Sequence, residues 1–168
     1  MDWVATVKLA VEIAGMIIST GTLAGKVYGW LSSLIQNSHD KRAEMLWEQF
    51  LKSPKEHATD LADVLSKLHP ADDPLLRGYV LGTLADSSRN RTADVYSLLA
   101  SPSYMREDVA DIYAKLDPRG PLPTDDQVTL SRKLVLYAAT RKRRWDQLVS
   151  LMVEKNPDVV HELAGLGN

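Results

Sequence analysis

Helix-start signals recur along this chain, and no segment alternates apolar and polar residues with the period of a strand. Ser53-Pro54-Lys55-Glu56 is a capping box: serine at the cap, proline at the first helical position, glutamate three residues past the serine. Ala58, Leu61, Leu65 and Leu68 follow at 3–4 spacing. Thr124-Asp125-Asp126-Gln127 is a second such box, feeding Leu130, Leu134, Tyr137 and Ala138. Asp73-Pro74 and Asn156-Pro157 mark two further starts. The pattern predicts helices over 2–19, 22–36, 39–52, 54–68, 74–86, 92–100, 103–116, 125–140, 144–155 and 157–165. The segment 117–123, DPRGPLP, is the clearest break. The fold class is therefore all-α: a helical bundle or a short stack of α-hairpins, about 9–10 helices. With 168 residues, 45% of them hydrophobic and 25% charged, the composition is that of an ordinary globular chain.

An internal echo adds an architectural expectation. Residues 53–70, SPKEHATDLADVLSKLHP, align without a gap on 101–118, SPSYMREDVADIYAKLDP. Ser-Pro, a central Asp, Ala-Asp, Lys-Leu and the closing Pro coincide, Leu61 falls on Val109, and Val64 on Ile112. Helix pairs repeating in this way point to stacked hairpins and an internal duplication. Two amphipathic helices sharing common capping chemistry are the alternative. Duplication predicts that Leu61 and Val109 face the interior, as do Leu65 and Tyr113, from equivalent places in two similar hairpins.

The amino-terminal stretch MDWVATVKLAVEIAGMII carries Asp2 ahead of its apolar run and Lys8 and Glu12 within it, which argues against an export signal. Residues 13–35 hold one charge, Lys26, and are long enough to span a bilayer. Gly15, Gly21, Gly25 and Gly29, with Ser19, Thr20 and Thr22, dilute that apolar character. The expectation is an apolar helical hairpin over 1–36 joined to an α-helical bundle or repeat domain over 37–168, the two forming one unit. Val4, Val7, Val11, Ile18 and Leu23 are then inaccessible. A membrane-active element in residues 1–36 is the competing reading.

Chemistry-bearing constellations are sparse. Without cysteine there is no disulfide, thiolate metal site or cysteine nucleophile. His39, His57, His69 and His161 are never three or four residues apart, so no helical metal pair exists. The pairs Asp60/Asp63 and Asp108/Asp111 each precede a lysine by one turn, Lys67 or Lys115, which is the order of an i,i+4 ion pair on a solvated face. No catalytic, cofactor-binding or metal-binding residue is expected, and no cofactor.

Charge is distributed more tellingly. The net charge is −2, which excludes a generally basic nucleic-acid binder, and no nucleic-acid partner is expected. Residues 132–144 nevertheless carry Arg132, Lys133, Arg141, Lys142, Arg143 and Arg144 with no acid. Residues 107–126 carry Glu107, Asp108, Asp111, Asp117, Asp125 and Asp126 against Lys115 and Arg119. Oppositely charged patches can meet between protein molecules, head to tail. The interaction residues expected from this pattern are Arg141, Lys142, Arg143, Arg144 and Trp145 on one side. Asp108, Asp111, Asp125 and Asp126 form the other.

Residues 134–159, LVLYAATRKRRWDQLVSLMVEKNPDV, resemble the closing helices of the effector-associated domains of bacterial conflict systems. The apolar helix with Tyr137, the arginine turn 141–144 and the Leu148-Val149 helix running to Pro157-Asp158 carry the resemblance. The turn is one residue longer than usual, and Lys142 stands where a glycine is common. The resemblance implies a death-like six-helix fold and a non-catalytic adaptor that couples effectors to sensors through like-with-like contacts. The expected function is thus protein–protein interaction, as an adaptor or regulator in the cytoplasm, with bacterial defence signalling as the setting. Partners are proteins, self-association included. The alternative is a membrane-active effector working through the amino-terminal helices.

Overall fold

Proline opens three of the helical segments, at Pro54, Pro74 and Pro157, where the local chemistry demands it. Its fixed φ suits the first helical turn, and its missing N–H is one that a helix start leaves unbonded anyway. A computed structural model describes residues 3–20, 25–68, 74–120 and 124–165. The helices are α1 (Trp3–Thr20), α2 (Lys26–Ser38), α3 (Lys41–Lys52), α4 (Pro54–Leu68), α5 (Pro74–Ser88), α6 (Thr92–Leu99), α7 (Arg106–Leu116), α8 (Gln127–Ala139), α9 (Lys142–Lys155) and α10 (Val160–Gly165). A single 3-10 turn, Pro157–Val159, precedes α10, and no strand occurs among the described residues. The chain is all-α, as its pattern requires. Leu23, His69, Asp73 and the His161 side chain lie outside the described residues.

The chain divides into two units, residues 1–80 and 81–168, with the boundary inside α5. In unit 1, α1 packs on α4 and α2, and α3 packs on α4. The 3–4 spaced residues of α1 (Val7, Ala10, Val11, Ala14) are buried, facing a core built from Leu61, Ala62, Val64 and Leu65 of α4 and from Ala43, Leu46, Trp47 and Phe50 of α3. Rings fill the rest. Trp3 meets Trp30 edge-on with centroids 6.4 Å apart, and Trp47 stacks on Phe50 at 5.6 Å. Asp40 caps α3 by accepting the Ala43 N–H at 3.0 Å. His39 closes α2 in the left-handed region, with φ 54°, a position that normally favours glycine.

Two expectations are corrected here. The expected boundary at 36/37 is not where the chain divides: α1 and α2 pack with each other and with α3 and α4, and the division comes at 80/81. Val4 is 45% exposed, since it lies one residue round the helix from the buried Trp3, and Ile18 is only half-buried. No helix among the described residues is long and apolar enough to cross a membrane.

In unit 2, α8 packs on α6, α7 and α9, and α9 also packs on α7. Leu130, Leu134 and Ala138 of α8 meet Val109, Ile112 and Leu116 of α7 and Trp145, Leu148, Val149 and Met152 of α9 in the buried interior. The echo holds in phase and fails in packing. Leu61, Val109, Val64 and Ile112 are all buried, and the Asp63–Lys67 and Asp111–Lys115 pairs both form at 3.3 Å. Tyr113, however, is only half-buried where Leu65 is fully buried. α4 packs on the helix before it, whereas α7 packs on the two that follow.

The second Ser-Pro also starts no helix. The Gln127 side-chain amide donates to the carbonyls of Leu99 (2.8 Å), Ser101 (3.1 Å) and Tyr104 (2.8 Å), holding residues 101–104 as a turn. α7 therefore begins at Arg106, behind a Met105–Asp108 box. α8 begins at Gln127 with Asp126 as its cap, accepting the Thr129 N–H at 2.8 Å, so Gln127 stands at the first helical position and not three residues past a Thr124 cap.

Candidate functional site

The basic run 141–144 is not a loop. α9 begins at Lys142, so Lys142, Arg143 and Arg144 form its first turn, with Arg141 at the cap making no side-chain cap bond. Cations at a helix N-terminus oppose the helix dipole, each costing roughly 0.3–1 kcal/mol at the surface. Two of them have local partners. Lys142 lies 3.5 Å from Asp86 with both side chains well exposed, a pairing worth little. Arg144 lies 4.1 Å over the Tyr137 ring and donates to Thr140 Oγ1 at 3.1 Å. Tyr137 in turn contacts Tyr113 at 6.2 Å, so this guanidinium ties α9 to α8 and α7. Arg141 and Arg143 are exposed and make no ion pair or side-chain hydrogen bond among the described residues.

Trp145 must be removed from the expected interface. It is fully buried, and its indole N–H donates to Ser88 Oγ at 3.1 Å, while Ser88 donates to the Ala85 carbonyl at 3.2 Å. Trp145 sits on the inner face of α9 with Leu148, Val149 and Met152, and a partner cannot reach it.

The expected acidic patch is largely engaged within unit 2. Asp108 accepts the Met105 N–H at 3.1 Å. Asp126 caps α8, and the Thr129 backbone N–H that it accepts lowers its pKa below the ordinary carboxylate value. Asp125 holds Lys133 at 2.8 Å, which raises the lysine's pKa. Asp111 bridges Lys155 and Lys115, and hydrogen bonds from those two ammonium groups, Lys155 first, lower its pKa. The four aspartates cap helices and fix lysines, so they do not present one free acidic face.

Two exposed residues escaped the sequence pattern. Val128 is 48% exposed and Leu136 64%. With Arg132, also exposed and without an ion pair or side-chain hydrogen bond among the described residues, they form an i, i+4, i+8 ridge along α8. The signal was available as spacing, but Leu134 and Val135 compete for the same stripe and only packing shows which face is buried. Beside α9, a shallow groove of about 370 Å³ is lined by Lys115, Arg143, Asp146, Gln147, Ser150 and Leu151. In unit 1 a groove of about 550 Å³ runs along α2, with Lys26 in its wall 5.8 Å from the Tyr79 ring centre. No cluster of three or more metal-ligating side chains occurs among the described residues. No protein-family model, curated protein or solved structure matches the chain.

Proposed function

We propose that this chain is a non-catalytic protein–protein interaction module, an adaptor or regulator, and that unit 2 docks an acidic protein surface on the start of α9 and the α8 ridge. The observation that carries the reading is the opening of α9. Three consecutive cations occupy a first turn where the backbone already presents positive charge, no side chain caps it, and Arg141 and Arg143 make no ion pair among the described residues. A helix built against its own dipole is explained when a carboxylate-bearing partner supplies the missing anion, since both the exposed N–H groups and the guanidinium forks then bind it. The α8 ridge adds aliphatic surface next to Arg132, the mixture found in protein interfaces. The resemblance of residues 134–159 to effector-associated domains supports the adaptor reading, with bacterial defence signalling in the cytoplasm as its proposed setting.

The test is fluorescence anisotropy with a labelled glutamate- and leucine-rich helical peptide. Parent protein is compared with Arg141→Glu/Arg143→Glu, and duplex DNA serves as competitor. The parent binds the peptide and releases it as salt rises, because the Debye length is about 8 Å at physiological ionic strength. The double reversal weakens binding at least about tenfold. Equal binding by parent and variant refutes the proposal. DNA displacing the peptide at equal phosphate and carboxylate concentrations would move the face to nucleic acid.

A further inference from the structure

Within unit 2 the end of α5 lies against the start of α9. Two contacts hold it there: Lys142 lies 3.5 Å from Asp86, and the Trp145 indole N–H donates to Ser88 Oγ at 3.1 Å. The chain then turns, with the Arg91 N–H donating to the Ser88 carbonyl at 2.9 Å, and α6 starts at Thr92. Arg89 and Arg91 on that turn are exposed, and neither makes an ion pair or side-chain hydrogen bond among the described residues. They follow the anchored Ser88 by one and three residues, so they continue the basic surface at the opening of α9. Acids interrupt this surface. Asp86 and Asp94 are exposed on it, Asp94 without an ion pair among the described residues, and the half-buried Asp146 lies one turn further along α9. Five exposed cations, Arg89, Arg91, Arg141, Lys142 and Arg143, therefore stand against three carboxylates, a net positive but discontinuous face.

We propose that the α5–α6 corner is a second half of the docking face on α9: Arg89 and Arg91 bind carboxylates of the acidic partner, and Asp86 and Asp94 keep nucleic acid off the same face. This inference rests on the docking role proposed for α9 and adds its selectivity. A DNA duplex carries one negative charge for about every 1.7 Å of its axis, so it cannot lie across the cations without also meeting the two acids. A folded protein carries its charges singly. It can set a carboxylate opposite each arginine and a cation or hydroxyl opposite Asp94, so the same mixture of signs accepts one class of polyanion and repels the other. Arginine suits the attractive part, because its planar fork binds a carboxylate through two parallel hydrogen bonds.

Fluorescence anisotropy on full-length protein tests both halves, with the glutamate- and leucine-rich helical peptide and a labelled DNA duplex as separate probes and folding checked by circular dichroism. Arg89→Glu with Arg91→Glu weakens peptide binding at least about tenfold. Asp86→Asn with Asp94→Asn binds the DNA at least about tenfold more tightly than the parent does, and binds the peptide no more weakly. Glu154→Gln with Asp158→Asn makes the same charge change near the far end of α9. That helix has 14 residues and is about 21 Å long, more than the Debye length of about 8 Å, so this variant binds DNA as the parent does. Peptide binding unchanged by the Arg89/Arg91 reversal, while Arg141→Glu with Arg143→Glu loses it, overturns the role of the corner and leaves the α9 reading standing. DNA binding that stays at the parent level in the Asp86/Asp94 variant, or rises equally in the Glu154/Asp158 variant, overturns the selectivity. If the Arg141/Arg143 reversal also binds the peptide as the parent does, the docking role itself has failed.

Discussion

Replacing Trp145 separates a core residue from an interface residue. The indole is fully buried and hydrogen-bonded to Ser88 Oγ at 3.1 Å. Truncation to alanine removes a large ring from between α8 and α9 and costs about 3–5 kcal/mol. A unit of the size of residues 81–168 is stable by about 4–13 kcal/mol, so Trp145→Ala removes a large part of the stability of unit 2. Trp145→Phe keeps most of the ring and loses the N–H bond. Ser88 retains its bond to Ala85, so the lost bond accounts for about 1 kcal/mol and the smaller ring adds to it. The other three tryptophans, Trp3, Trp30 and Trp47, belong to unit 1, which makes Trp145 the fluorescent reporter of unit 2. Urea unfolding followed by circular dichroism gives the stability of each variant. A cycle with Ser88→Ala gives the coupling between the two side chains, expected at about 1 kcal/mol. If Trp145→Ala unfolds within about 1 kcal/mol of the parent, the ring is not core, and the reasoning that removed it from the interface is wrong.

Further outcomes follow from the same contacts. Ser131 Oγ is buried with no hydrogen-bond partner, so Ser131→Ala should leave thermal stability unchanged or raise it by about 0.5–1 kcal/mol; a loss above about 1 kcal/mol would show that the hydroxyl has a partner. Val11 is buried on α1 against unit 1, so Val11→Asp should cost roughly 3 kcal/mol or more in urea unfolding, and a parent-like curve would remove α1 from the core. Asp111 has a folded pKa below its unfolded value because Lys155 and Lys115 bond it. Its stabilisation is therefore present above the ordinary carboxylate pKa and is lost as pH falls through the lowered one. Asp111→Asn should flatten the acid limb of stability against pH without changing its shape above neutrality, and an unaltered acid limb would contradict that linkage.

What was legible in the sequence was local. The helix starts at Pro54, Pro74 and Pro157 lie where the sequence puts them, because proline and a neighbouring cap decide such starts within one turn. The start at Pro102 fails because Gln127, distant in sequence, binds three carbonyls of that turn and holds it out of helix. The basic run was plain, but its meaning was not. Asp111 pairs with Lys155 across α7 and α9, Asp125 with Lys133 over two turns of α8, and Trp145 with Ser88, and only folding makes these neighbours. Which cations stay unpaired therefore depends on long-range packing. Arg141 and Arg143 remain, with Arg132, while Arg144 is taken by Tyr137. Burial likewise divides adjacent apolar residues, Trp3 from Val4 and Val135 from Leu136, that hydropathy alone treats as alike.

The proposed docking face for acidic protein surface comprises the opening of α9 and the α8 ridge. Amide chemical-shift mapping of isotope-labelled full-length protein, titrated with the glutamate- and leucine-rich helical peptide, tests it most directly. The account predicts shifts concentrated at Val128, Arg132 and Leu136 and at residues 140–144, with Trp145 indole N–H moving little because Ser88 holds it. Shifts scattered over the surface, or centred on the α2 groove while residues 128–144 stay still, would contradict it.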